Sequence, residues 1–317
     1  MKIDECMDTD TYRASIENSP TLEMTWELAI RAAVGVVVSA LAAYRGLKKR
    51  SLTRGGAFSA IIVGTVSMTC GYRFGILLLA FYFSSTKLTH YQEDRKATLD
   101  ASVKAGGQRS AIQVLAVSLI ATFLAGVYAF YVGEDRPLDS VSYPLATMLW
   151  GAYIAHYACC AADTWASELG VLSASSPILI TRCRTVPPGT NGGISLLGSI
   201  AAAAGGTFIG LLFYLYHVFF FVLASSADSV VWPQQWPIVL FGLASGVIGC
   251  MLDSILGATL QSTYYCTRTN RVVLWPQVPT FDVIHISGYD ILTNEQVNVV
   301  SVALTTILGA LAAPYVF

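Results

Sequence analysis

Residues 143–170 read YPLATMLWGAYIAHYACCAADTWASELG. From Tyr143 to Ala162 the run carries no Asp, Glu, Lys or Arg, and about twenty apolar residues are what a helix needs to cross the hydrocarbon of a bilayer. The charge-free run then ends on Asp163-Thr164-Trp165-Ala166-Ser167-Glu168-Leu169-Gly170. A membrane span that finishes in two carboxylates decides the class of the protein and marks where its chemistry is to be sought.

The rest of the chain follows the same pattern. Of 317 residues, 54% come from the set AVILMFWYC and 12% are charged, about half the charge of a soluble domain. The net charge of −1 sets up no field for a phosphate polymer, which argues against a nucleic-acid partner. Further apolar stretches lie at 24–44, 57–72, 74–90, 111–132, 194–223, 238–262 and 297–317. The expected fold is an all-α polytopic membrane bundle of about eight transmembrane helices. The 57–72 and 74–90 pair is short, and reads as a tight hairpin or as segments that do not fully span. The long stretch at 194–223 is expected to tilt or to break at Gly205-Gly206. Residues 1–22 form an acidic tail, and 23–317 one integral membrane domain without repeats or linkers. The seven cysteines show no C-x-x-C spacing and read as reduced thiols.

Basic residues cluster after alternate spans: Arg45 to Arg54, Arg95 to Arg109, Arg182 and Arg184, then Arg268 and Arg271. The opposite loops hold few. The positive-inside rule places the basic loops in the cytosol and both termini on the non-cytosolic side.

Five polar clusters fall at the cytosolic ends of spans: Arg50 to Gly56, Ser84 to His90, Asp163 to Gly170, Val186 to Gly193, and Asp253 to Gln261. A carboxylate at bilayer depth costs roughly 2.5–3.5 kcal/mol on insertion scales, so it persists when paired, hydrated or bound to a cation. Asp163 and Ser167 share a helix face, as do Thr164 and Glu168. Asp253, Gly257 and Gln261 make a second stripe. Asp163, Glu168 and Asp253 are therefore candidate Mg²⁺ ligands, with a salt bridge to Lys87, Arg182 or Arg184, or a proton or ion pathway, as the alternatives. Gly189-Thr190-Asn191-Gly192-Gly193 is a candidate phosphate nest ahead of a helix start, with Arg182 and Arg184 within reach of the same anion. Lys87, beside Ser84 and Ser85, either snorkels to the interface or contacts a phosphate. His156 reads as a packing or hydrogen-bonding residue. No Walker A pattern occurs.

Taken together, the clusters Ser51-Leu52-Thr53, Ser84-Ser85-Thr86-Lys87, Asp163 to Gly170, Val186 to Gly193 and Asp253 to Gln261, with Ile286-Ser287-Gly288 and Val297-Asn298 near the end, resemble the transmembrane protein 19 family. The resemblance covers the chain from about residue 26 onward. A plant relative of that family is a phytyl-phosphate kinase, and the block order is similar to the CTP-dependent polyprenol kinases and CDP-lipid synthases. Asp163, Ala166 and Gly170 fit the Asp-x-x-Ala-x-x-x-Gly segment of that wider group. The Lys-Arg and His-Gly-Gly-rich closing signature of the CDP-lipid synthases is missing, so phosphate transfer is what carries over. The resemblance implies a Mg²⁺-dependent kinase that converts an isoprenoid monophosphate to its diphosphate with a nucleoside triphosphate, CTP favoured. Asp163, Glu168, Asp253 and Lys87 would act at the reacting phosphates. Arg182, Arg184, Gly189 to Gly193, Ser84, Ser85 and Gln261 would bind substrate or nucleotide. A transporter of an anionic lipid or ion, and a non-catalytic scaffold, are the other readings these residues allow.

Overall fold

A computed structural model describes residues 20–99, 107–222, 234–273 and 282–317. The acidic tail up to residue 19 lies outside them. The described chain forms α1 (Pro20–Lys48), α2 (Arg54–Cys70), α3 (Tyr72–His90), a short α4 (Glu93–Leu99), α5 (Ala111–Tyr131), α6 (Pro144–Gly170), α7 (Leu196–His217), α8 (Pro237–Leu260) and α9 (Asn294–Val316). Six of these are long and apolar enough to cross a membrane: α1 from Trp26, α5, α6, α7 on to Phe220, α8 and α9. The protein is thus a multi-pass helical membrane protein. The short hairpin is present as α2 and α3, of 17 and 19 residues, turning at Gly71.

Helix starts follow from local chemistry. Ser110 with Gln113 and Thr293 with Gln296 form capping boxes on α5 and α9; Thr53 and Ser195 cap α2 and α7. Each supplies an acceptor to an amide that the first helical turn leaves unpaired. Pro144 and Pro237 open α6 and α8, where a missing N–H costs nothing.

Helix α6 is the axis of the bundle. It is buried along most of its length and packs on α3, α5, α7, α8 and α9. Hydrophobic force does not hold helices together in lipid, so close backbone approach through small residues does it. Gly151 faces Gly309 and Ala313 of α9, and Gly205 of α7 lies on the Ala161 backbone. Gly206 meets Gly242 and Gly246 of α8. The glycine pair on α7 is therefore a packing surface, and the helix runs through it unbroken. Its irregular stretch comes later, as a π turn over Val218–Val222. His156 is fully buried and ties three helices, its Nδ1 at 3.2 Å from Thr306 Oγ1 and its Nε2 at 2.6 Å from the Val117 carbonyl.

The connections carry structure that the helical reading does not anticipate. Between α6 and α7, β1 (Ile178–Leu179), β2 (Arg184–Thr185) and β3 (Gly193–Ile194) form an antiparallel sheet in the order β2-β1-β3. Between α8 and α9, β4 (Thr263–Cys266), β5 (Arg271–Val273) and β6 (Val283–Ser287) form another, in the order β5-β4-β6. Arg184 joins the two, donating to the Ile286 carbonyl at 2.9 Å. Both sheets sit at one end of the bundle. The other end gathers Arg73, paired with Asp135 at 3.3 Å, and the C-terminal carbonyl of Phe317, which accepts from the Ser140 amide at 3.1 Å.

Candidate functional site

At the sheet-bearing end, the helix ends surround a cavity of about 1300 Å³. All five polar clusters contribute to its wall, two of them by a single residue, Leu52 and Thr89. Asp163 and Glu168 reach it from α6, Asp253 and Gln261 from the end of α8, and Gly189 to Gly193 from the loop before β3.

The two aspartates both line it, near enough for their carboxyls to interact directly. Asp253 Oδ1 also accepts from Ser301 Oγ at 2.8 Å. The Asn298 amide, with its nitrogen turned toward Asp253, donates to the same oxygen at 3.2 Å and to the Asn294 carbonyl at 3.1 Å. Neighbours on α9 thus hold one carboxylate by donors only. Two carboxyls in contact require either a shared proton or a cation, and a Mg²⁺ needs only one or two carboxylates when phosphates and waters complete its shell. Asp163 and Asp253 fit that requirement.

Glu168 does not complete a triad. Its Oε2 accepts from Lys96 Nζ at 2.6 Å, and no group of three His, Cys, Asp or Glu is assembled for a metal among the described residues. Lys96, on α4, is buried, and its Nζ also donates to the Leu88 and Thr89 carbonyls at 2.7 and 3.1 Å. This ammonium closes the end of α3 and ties it to α6.

The glycine-rich loop lines the cavity, though not as an open nest. The Thr190 amide donates to Pro187, the Gly193 amide to Thr190, and the Asn191 amide to Thr263 Oγ1. Strand β3 and the Ser195 cap stand between the loop and α7, so the loop does not abut the helix N-terminus. Instead it rests on α8. A side chain at Gly192 would collide with the Ser254 carbonyl and Ala258, and its φ is +73°. Glycine is what brings the loop beside Asp253.

Several expected ligands lie elsewhere. Lys87 is exposed on α3 and is not part of the cavity wall; Arg182 is exposed, and Arg184 serves the sheet junction. Ser84 bonds back to the Phe81 carbonyl at 3.2 Å, and Ser85 is buried away from the cavity. Gln261 does line it, its Nε2 donating to Asn294 Oδ1 at 3.4 Å.

Lys96 and Arg109 are the cations that line the cavity. In the sequence both sit in a basic loop whose charge predicts only its side of the membrane. The cluster Ser51-Leu52-Thr53…Gly56 holds Arg109 in place. The Arg109 amide donates to Ser51 at 3.0 Å, and its carbonyl accepts from the Thr53 amide at 3.1 Å. Gly56 packs so tightly on that carbonyl that a side chain would collide with it. Burial pulls the Arg109 guanidinium below its ordinary pKa, while Tyr82, Glu168 and Cys160 work the other way.

The comparisons with known proteins agree with this architecture. The family model described as "Integral membrane protein DUF92" matches residues 37–306. The chain is 45% identical to Protein PGR of Arabidopsis thaliana over 89% of its length and 96% of that protein's. It is 27% identical to an uncharacterized membrane protein of Methanocaldococcus jannaschii, over 90% of this chain and 96% of the other. It is 23% identical to the chloroplastic Protein VTE6 of Arabidopsis thaliana, over 84% of this chain and 66% of the other. No solved structure matches. With its helical membrane fold and a match over most of its length, the chain belongs to the DUF92 family of integral membrane proteins.

Proposed function

We propose that the protein is a Mg²⁺-dependent kinase that converts an isoprenoid monophosphate to its diphosphate with a nucleoside triphosphate, CTP favoured. The observation that carries this reading is the single cavity that joins the Asp163–Asp253 pair to an apolar arm reaching between α1, α2, α3 and α5. A lipid phosphate needs both. The resemblance to a family with a phytyl-phosphate kinase supports the same reaction class.

Asp163 and Asp253 would hold the Mg²⁺, which when bound offsets charge on the donor phosphates. Ser301 and Asn298 keep Asp253 aimed into the cavity. The Gly189–Gly193 loop forms the wall against which the donor is positioned. An oxygen of the acceptor monophosphate attacks the γ-phosphorus, the bond from that phosphorus to the β–γ bridging oxygen breaks, and the nucleoside diphosphate leaves with the electron pair. The acceptor is already ionised, so the step needs no strong base, and its rate comes from positioning and electrostatics.

The test is to incubate the purified chain with farnesyl or phytyl monophosphate, Mg²⁺ and each of CTP, ATP, GTP and UTP, and to measure prenyl diphosphate by mass spectrometry. Product from wild type, at least a hundredfold less from Asp163→Asn, is the expected result (about 2.7 kcal/mol of barrier). Absence of product with every nucleotide from folded protein overturns the reading in favour of transport.

A further inference from the structure

We propose that Arg109 is the residue that clamps the phosphate of an amphiphilic substrate, with the apolar chain lying in the arm of the cavity below it. The proposal rests on the lipid-phosphate reading above and assigns the head-group contact within it.

Arg109 lines the cavity together with Asp163 and Glu168 and with the apolar residues Ala42, Val63, Leu78 and Val117, from four different helices. Its guanidinium carbon lies 5.9 Å from the centre of the Phe81 ring. Among the described residues no side chain makes a hydrogen bond or ion pair with that guanidinium. Glu168 is near enough to attract it, yet the nearer claim on Glu168 is the 2.6 Å bond from Lys96. This guanidinium is half-buried and withdrawn from bulk water into the cavity, which carries a desolvation cost that an anion on its five donors would offset. Phosphate matches that planar fork with two parallel bonds. The backbone clamp from Ser51, Thr53 and Gly56 fixes where the fork points.

The arm is lined by Leu78, Leu79, Phe81 and Tyr82 of α3, a stretch of about 6 Å at 1.5 Å per residue, and by residues of α1, α2 and α5 across from them. An anion without a tail would leave that apolar wall uncovered, and a neutral lipid would leave the arginine without its counter-charge. An isoprenoid monophosphate satisfies both, and it sets its phosphate on the side of the cavity that holds the aspartate pair.

The test measures binding, with farnesyl monophosphate and farnesol as probes on the full chain in detergent. Wild type is expected to bind the monophosphate at least tenfold more tightly than the alcohol. Arg109→Gln loses that preference while keeping its affinity for farnesol, and Arg182→Gln and Lys87→Gln keep both. Should Arg109→Gln fail to fold, Arg109→Lys decides: the single ammonium replaces the fork, and a threefold or greater loss for the monophosphate is expected. Undiminished monophosphate binding in the decisive variant overturns the proposal, as does a wild type that does not distinguish the two probes. Asp163→Asn separates this from the kinase assignment, since it retains monophosphate binding while forming no diphosphate. If wild type binds through Arg109 and makes no diphosphate, the clamp stands and the kinase falls. If Arg109→Gln makes diphosphate at the wild-type KM, the reverse holds.

Discussion

Gly192 shows how much one missing side chain does for this site. The loop carries it at φ +73° with the Ser254 carbonyl and Ala258 pressed against its α-carbon. Gly192→Ala forces either the loop or α8 to move, at a cost of roughly 1–3 kcal/mol for the overpacking. Because Asp253 is one residue before Ser254, the movement reaches the aspartate pair. The expected outcome is a lowered melting midpoint and at least a tenfold loss of diphosphate formation. Such detail was legible in the sequence only as a glycine-rich turn. Asp163 and Asp253 were legible because a carboxylate within an apolar run always needs an explanation. Arg109 was not, because its role comes from a backbone clamp some 55 residues earlier in the chain, and no local pattern records that.

Among the elements, α4 departs most from what the sequence suggests. Seven residues between two spans read as a charged cytosolic loop, and they fold into a helix whose one buried ammonium joins α3 to α6. The two small sheets were missed for a related reason. Strands of two to five residues leave no periodicity to read, and their pairing is long-range. The long helices, by contrast, announce themselves through length and apolarity alone. The Lys96–Glu168 pair gives an element-scale prediction. Removing either partner of a buried pair leaves the other charge uncompensated and costs about 3–5 kcal/mol; Glu168 is partly accessible from the cavity, which brings the expectation toward the lower end. Lys96→Met and Glu168→Gln should each lower the melting midpoint, and the double variant should be much less destabilised than the sum of the two. Additivity in that cycle would mean that the pair does not couple α4 to α6.

At the scale of the whole molecule, the two ends of the bundle differ in kind. The end with the cavity carries Lys96, Arg109, Arg182 and Arg184 together with both sheets, while the opposite end is closed by the Arg73–Asp135 pair and the chain terminus. A kinase that draws on a nucleoside triphosphate needs its cavity on the nucleotide side of the membrane, and the positive-inside rule puts the basic end there. Cysteines make this testable. Cys183 is exposed in the turn between β1 and β2, at φ +47°. Cys266, on β4, has its thiol held below the ordinary value by hydrogen bonds from the Thr269 hydroxyl and amide. The thiolate is the form that reacts with a maleimide, so this lowering favours labelling of Cys266. With Cys6 replaced by Ser, a membrane-impermeant maleimide applied to sealed cells, with the protein at the surface membrane, should leave both thiols unmodified. After permeabilisation it should modify both. Labelling of Cys183 in the sealed cells would invert the protein, place the cavity away from the nucleotide pool, and leave the aspartate pair in a compartment where the proposed donor is scarce.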